Sequence, residues 1–172
     1  RVVYSCSTTK KNVSIMTTLA IEYDGMARID FAIKPVARHL GEVKIENLFL
    51  EIPVEKIYAE FMHLIGVEKF HTTSISKKIP DEYGTIFSGP FRPFVWIGDR
   101  ERGLEWFCES DEGWNPEPDK TIEIKRIGNT VTLLINLCSS PMNILSEFHT
   151  TFGIIATPVK PFPRDWRSWT WT

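Results

Sequence analysis

Cysteine is scarce in this chain: three residues in 172, Cys6, Cys108 and Cys138, each far from the others. That spacing excludes a zinc pattern and a disulfide-dense scaffold. Cys108 and Cys138 fall in apolar strands and read as small, reduced hydrophobes, with a Cys108–Cys138 bridge as the alternative. Long apolar runs are missing too. None approaches the ~18 residues that a membrane helix needs, so no membrane insertion is expected. No run of lysine or arginine exists to neutralise phosphates, and the net charge is -2. Nucleic acid is therefore a poor partner. Glycine-rich phosphate loops and a Gly-x-Ser-x-Gly elbow are absent. The four histidines, His39, His63, His71 and His149, show neither helical i, i+4 spacing nor a nearby cysteine or carboxylate motif. The chain opens on Arg1 and a polar run without a signal-peptide pattern, and it reads as a processed or excised piece of something longer.

Helical periodicity is almost as scarce as cysteine, and period-2 alternation fills its place. "NVSIMTTLAIEYD" alternates through Val13, Ile15, Thr17, Leu19 and Ile21, and "MARIDFAIKPV" through Ala27, Ile29, Phe31 and Ile33, with a hairpin turn at Tyr23-Asp-Gly-Met. "EVKIENLFLEIPV" alternates with an irregularity at Asn47. "KTIEIKRIGNTVTLLINL" is the clearest hairpin: Ile122, Ile124 and Ile127 lead into the two-residue loop Gly128-Asn129, and Val131, Leu133, Ile135 and Leu137 lead out. "EFHTTFGIIATPVKP" gives the last strand. Only "PVEKIYAEFMHLIGV" reads equally well as helix or strand. The expectation is an all-β, two-sheet antiparallel β-sandwich of ten or so strands, with at most one or two short helices. Residues 1–157 form the sandwich domain and 158–172 a Pro/Trp-rich exit segment leading to a following domain.

Chemistry has few residues to work with. Glycoside cleavage needs two carboxyl groups about 5–5.5 Å apart for retention or ~6.5–9.5 Å for inversion. Glu105 and Glu109 on one strand face stand roughly 13 Å apart, too far for either. No catalytic residue, metal ligand or cofactor is assigned. "ESDEGWNPEPD" offers oxygen groups that suit calcium, Glu109, Asp111, Glu112, Asn115, Glu117 and Asp119, without the spacing of a calcium loop; a solvated acidic loop is the simpler reading. Trp96 and Trp106 sit among apolar neighbours and read as core. Trp166, Trp169 and Trp171 follow the prolines, where no strand needs them, and read as a surface that packs on this domain's flank or on a neighbour.

"FVWIGDRERGLEWFCESDEGW" resembles a signature of bacterial proteins related to glycoside hydrolase family 123, carried here by Trp96, Gly98, Arg102, Gly103, Leu104, Trp106, Phe107, Glu109, Ser110, Asp111, Gly113 and Trp114. "FHTTFGIIATPVKPFPRDWR" resembles a later segment of the same proteins, through Phe152, Gly153, Thr157, Pro158, Lys160 and Pro161. Together the two strings cover about a third of the chain; the first half is similar only in being rich in strands. The resemblance implies a non-catalytic β-sandwich preceding a catalytic (β/α)₈ barrel in a secreted or periplasmic glycoside hydrolase-like enzyme. The family's catalytic Asp-Glu pair sits in the barrel, and no residue here matches it. Such a domain would pack against the barrel of the same polypeptide and help shape carbohydrate binding. The alternative is an independent carbohydrate-binding module, with or without calcium. Contact residues under either reading are Arg100, Arg102, Glu109, Asp111, Trp114, Trp166 and Trp169.

Overall fold

The structure, a computed structural model, describes residues 1–10, 12–36, 43–68, 71–145 and 147–159. Trp166, Trp169 and Trp171 lie outside the described residues. Fourteen strands occur among those described: β1 Val2–Lys10, β2 Val13–Ile21, β3 Ala27–Pro35, β4 Val43–Ile45, β5 Leu48–Glu55, β6 Phe61–Glu68, β7 His71–Lys78, β8 Gly84–Gly89, β9 Phe94–Gly98, β10 Gly103–Phe107, β11 Ile122–Ile127, β12 Thr130–Cys138, β13 Met142–Ile144 and β14 Phe148–Thr157. Two 3₁₀ turns, Lys56–Tyr58 and Pro118–Lys120, are the helical content among these residues.

The strands form an eight-stranded antiparallel sheet in the order β1-β2-β3-β14-β10-β9-β6-β7, a four-stranded sheet β5-β12-β11-β8, and a two-stranded ribbon β13-β4. This is an all-β sandwich. Its larger core lies between the inward faces of the two main sheets, where Leu64, Val95, Ile97 and Trp106 meet Ile52, Ile122, Ile124, Val131, Leu133 and Ile135. A second cluster, with Ile33, Val43, Leu137, Ile144 and Phe148 at its centre, fills the space under the ribbon. The half-buried Trp114 packs against both clusters and donates from Nε1 to Thr150 Oγ1 at 3.2 Å.

The two hairpins read from the sequence form where their turn residues put them. Gly25 takes φ +91° between β2 and β3, and Gly128 takes φ +59° in the Gly128-Asn129 loop, conformations that side chains with a Cβ rarely adopt. Ile127, the last residue before the loop, is 69% exposed at the hairpin tip. The inward position goes to Arg126, only 3% exposed, which donates to the Pro80 carbonyl and lies 3.4 Å from Asp81. The irregularity at Asn47 is the break between β4 and β5.

The ambiguous stretch at 53–67 resolves as a 3₁₀ turn followed by a strand. Met62 and Leu64 point into the core and Phe61, His63 and Ile65 point out. Both faces carry apolar residues, so local periodicity could not choose; pairing with β9 and β7 does. Strands β1, β7, β8 and the short β13 were not anticipated. β1 and β7 are polar edge strands of the eight-stranded sheet, and all nine residues of β1 are exposed. β1, with neither face buried, lacks the alternation that betrays a strand, and β7 half-buries Thr73 and Ile75 between exposed neighbours.

Candidate functional site

Strands β9 and β10 form the hairpin of the "FVWIGDRERGLEWFCESDEGW" signature, paired from Gly98–Gly103 to Phe94–Phe107. Asp99 builds its tip. One carboxylate oxygen accepts from the backbone N–H groups of Glu101 at 2.7 Å and Arg102 at 2.8 Å. These two bonds outweigh desolvation and hold the Asp99 carboxyl below its ordinary range, with the nearby Arg102 charge a lesser influence in the same direction. Arg100 projects from the tip with its side chain 81% exposed, 3.9 Å from the Glu60 carboxylate. Arg102 lies over the Tyr58 ring, 5.2 Å from its centroid. Beside the tip, an open groove of about 360 Å³ runs between Pro53, Tyr58, Arg102, Leu104, Ala156 and Thr157. Gly103 pairs with Thr157, so the tip and the end of β14 share one rim of the sandwich.

Paired residues on antiparallel strands share a face, which sorts the hairpin's aromatics. Trp106 points inward and is 1% exposed. Its rings stand edge-on to Phe91, which in turn stands edge-on to Trp114. Trp96 departs from the core reading. It alternates with the buried Val95 and Ile97, so it lies half-buried on the outer face of the eight-stranded sheet. Its indole occupies the space that side chains at Gly98 and Gly103 would take, and its Nε1 donates to Thr157 Oγ1 at 2.9 Å. Phe107 lies in the same way over Gly153. A strand pattern of alternating apolar residues marks such a hairpin without telling which apolar set faces in.

Past β10 the chain turns away from the sheet. Glu109 and Asp111 are exposed. The acidic loop does not gather around a point: Asn115 donates from Nδ2 to the Ser140 carbonyl, Glu117 pairs with Lys120 at 2.6 Å, and among the described residues no three His, Cys, Asp or Glu side chains converge. Trp114 sits at the seam between the two core clusters. The three cysteines are free thiols. Burial pushes the thiols of Cys108 and Cys138 up from their ordinary value, and they donate to different carbonyls, Cys108 to Ser110 and Thr151, Cys138 to Ser140.

Among the described residues three carboxylates are displaced from their ordinary range, all downward. In Asp30 desolvation is the largest single influence and acts upward, but hydrogen bonds from Thr151 at 2.7 Å and Arg28 at 3.0 Å together with the Arg28 charge outweigh it. Asp81 is lowered by Lys56, which bonds it at 3.0 Å, and by Arg126. Asp99 is lowered by its turn bonds. Carboxyls with depressed folded values stay ionised in the native state after the unfolded chain has begun to take up protons. Their stabilisation is complete well above the unfolded value of 3.8 and is lost as the pH falls through the lower folded values. Urea midpoints are therefore expected to be flat from neutrality to about pH 5 with respect to these groups and to fall below that. The fall should be shallower in Asp30→Asn.

The geometry thus offers a rim with an arginine-bearing tip and an outer face seated with aromatic rings. The family model for glycoside hydrolase 123, third domain, matches residues 1–117. The chain belongs to this glycoside hydrolase 123 third-domain family. No curated protein matches it. The matched stretch holds the whole β9–β10 signature and begins at residue 1, so the first half carries family character beyond mere strand content. It stops before β11, although β14 lies between β3 and β10 in the large sheet and β11 and β12 form the centre of the small one. In this third domain, the matched strands and those after residue 117 share one core.

Proposed function

We propose that this chain is a non-catalytic accessory domain that packs against the catalytic barrel of its own polypeptide and helps shape carbohydrate binding there. The observation carrying this reading is the shared rim. The Arg100–Arg102 tip, the apolar groove beside it and the end of β14 all lie at one end of the sandwich. A neighbour placed there would meet cationic side chains that are exposed and only loosely paired. The carboxylates with displaced values support it as well. Their shifts are downward and tied to turns and ion pairs, whereas a general acid in glycoside cleavage needs a raised one. Export to the periplasm or cell exterior is part of this proposal and rests on the resemblance.

With the chain alone, hydrolysis of aryl N-acetylhexosaminides is expected to stay at background, and clear turnover would sink the accessory reading. Added in trans to the catalytic domain, the chain should co-elute with it. Reversing the tip charges with Arg100→Glu and Arg102→Glu should weaken that association; co-elution unaffected by the reversal would place the contact elsewhere.

A further inference from the structure

The outer face of the eight-stranded sheet has no layer of this chain's described residues over it, yet it is furnished with aromatic rings. Phe94, Trp96 and Phe107 stand there on adjacent strands, with Phe61 and Ile65 on β6 beside them. Trp96 and Phe107 occupy the Cβ space of glycines, which lets a ring lie low on the sheet. Phe94 and Phe107 are nearly parallel, 26° between planes with centroids 6.4 Å apart. Inside the core the aromatic pairs meet edge to face, at 83° and 87°. The outer pair is instead stacked.

The strip ends in polar groups. Phe107 and Gly153 form one wall of an open groove of about 380 Å³, with Arg28, Glu109 and Thr151 around it, within the range of ~300–1,000 Å³ typical of small-ligand sites. The Arg28 side chain is 53% exposed and pairs with Asp30 at 3.0 Å. Glu109 is exposed and makes no hydrogen bond or ion pair among the described residues.

We propose that this aromatic strip and its groove bind an oligosaccharide, one pyranose stacking on Phe107 and its hydroxyls bridging Arg28 and Glu109. This deepens the accessory reading and rests on it, adding a sugar site on the domain's own surface. The chemistry selects the ligand. The faintly positive C–H faces of a pyranose suit the negative face of an aromatic ring. Adjacent hydroxyls both donate and accept, so one sugar can accept from a guanidinium and donate to a carboxylate. A protein surface covering the same strip would bury Glu109 and Arg28 and would need a partner group for each.

Isothermal titration of the chain with hexasaccharides of N-acetylglucosamine and of glucose, and with N-acetylgalactosamine, tests this. Saturable binding of at least one is expected. Phe107→Ala and Glu109→Gln should each weaken it about tenfold. Gly153→Ala guards against a folding artefact, because the added methyl displaces only the far end of an outer-face ring. It should weaken binding similarly, with an unchanged circular dichroism spectrum. No saturable binding to any of the three, or binding that all three variants retain, overturns the proposal. Failure of docking alone is read separately, as loss of co-elution with the catalytic domain while sugar binding by the isolated chain persists. Phe94 and Phe107 protected by the catalytic domain, with no sugar bound, would assign the strip to domain packing and also overturn it.

Discussion

Replacing Trp106 with alanine is expected to cost about 3–5 kcal/mol, the range for deleting a fully buried large aromatic. Trp106 is 1% exposed, sits in the main core cluster and presents an edge contact to Phe91. Through Phe91 it is linked to Trp114, which packs against both clusters, so the cavity would open in the inter-sheet core beside that chain of rings. Domains of this size are stable by about 5–15 kcal/mol in all. Denaturant unfolding at neutral pH should show a clearly lowered midpoint. Trp106→Phe should cost markedly less. It keeps a ring in place and removes an indole N–H that is buried without a hydrogen-bond partner among the described residues, a group whose burial is itself unfavourable.

Gly98→Ala should be nearly as damaging, at about 3 kcal/mol, the upper end of the range for overpacking. A Cβ there would lie 2.5 Å from the Arg102 carbonyl oxygen and inside the Trp96 indole. The indole is tied to Thr157 and the carbonyl to the Asp99 N–H, so neither yields without breaking the tip. Gly153→Ala is the contrast. The neighbour it meets is the end of a Phe107 ring on the outer face, which can swing away. Thermal or urea midpoints of the pair should separate accordingly; a Gly98→Ala midpoint equal to wild type would mean that the tip is not held as described.

The hairpins at Tyr23–Met26 and Gly128-Asn129, the strand character of most segments and the all-β class were legible from residue pattern alone. They depend on neighbours a few positions apart, through alternation and through glycines that tolerate positive φ. The edge strands β1 and β7 were not legible: β1 is exposed on both faces and leaves no alternation to read, and in β7 Ile75 is the one large apolar residue on the half-buried face. The candidate site was half legible. The Arg100–Arg102 tip stands out as charge between apolar runs, but Trp96 was misassigned to the core. Val95 and Trp96 are both apolar, and adjacent positions on a strand face opposite ways. Only the layer packed against one side decides which is interior.

That division holds for the whole molecule. The sequence by itself determined that the chain forms antiparallel strands and where two of its tight turns fall. It also carried, in "FVWIGDRERGLEWFCESDEGW", the likeness to the family that the match over residues 1–117 bears out. Tertiary structure decided the strand order, in which β14 is inserted between β3 and β10 and pairs with β3 across more than a hundred positions of chain. It also decided which face of the large sheet has no layer of described residues over it, and that glycines elsewhere in the chain or across the hairpin provide the seats for Phe107 and Trp96. The physical reason is one of range. Dihedral preferences and side-chain alternation act between near neighbours, whereas burial depends on which distant strand comes to lie on top.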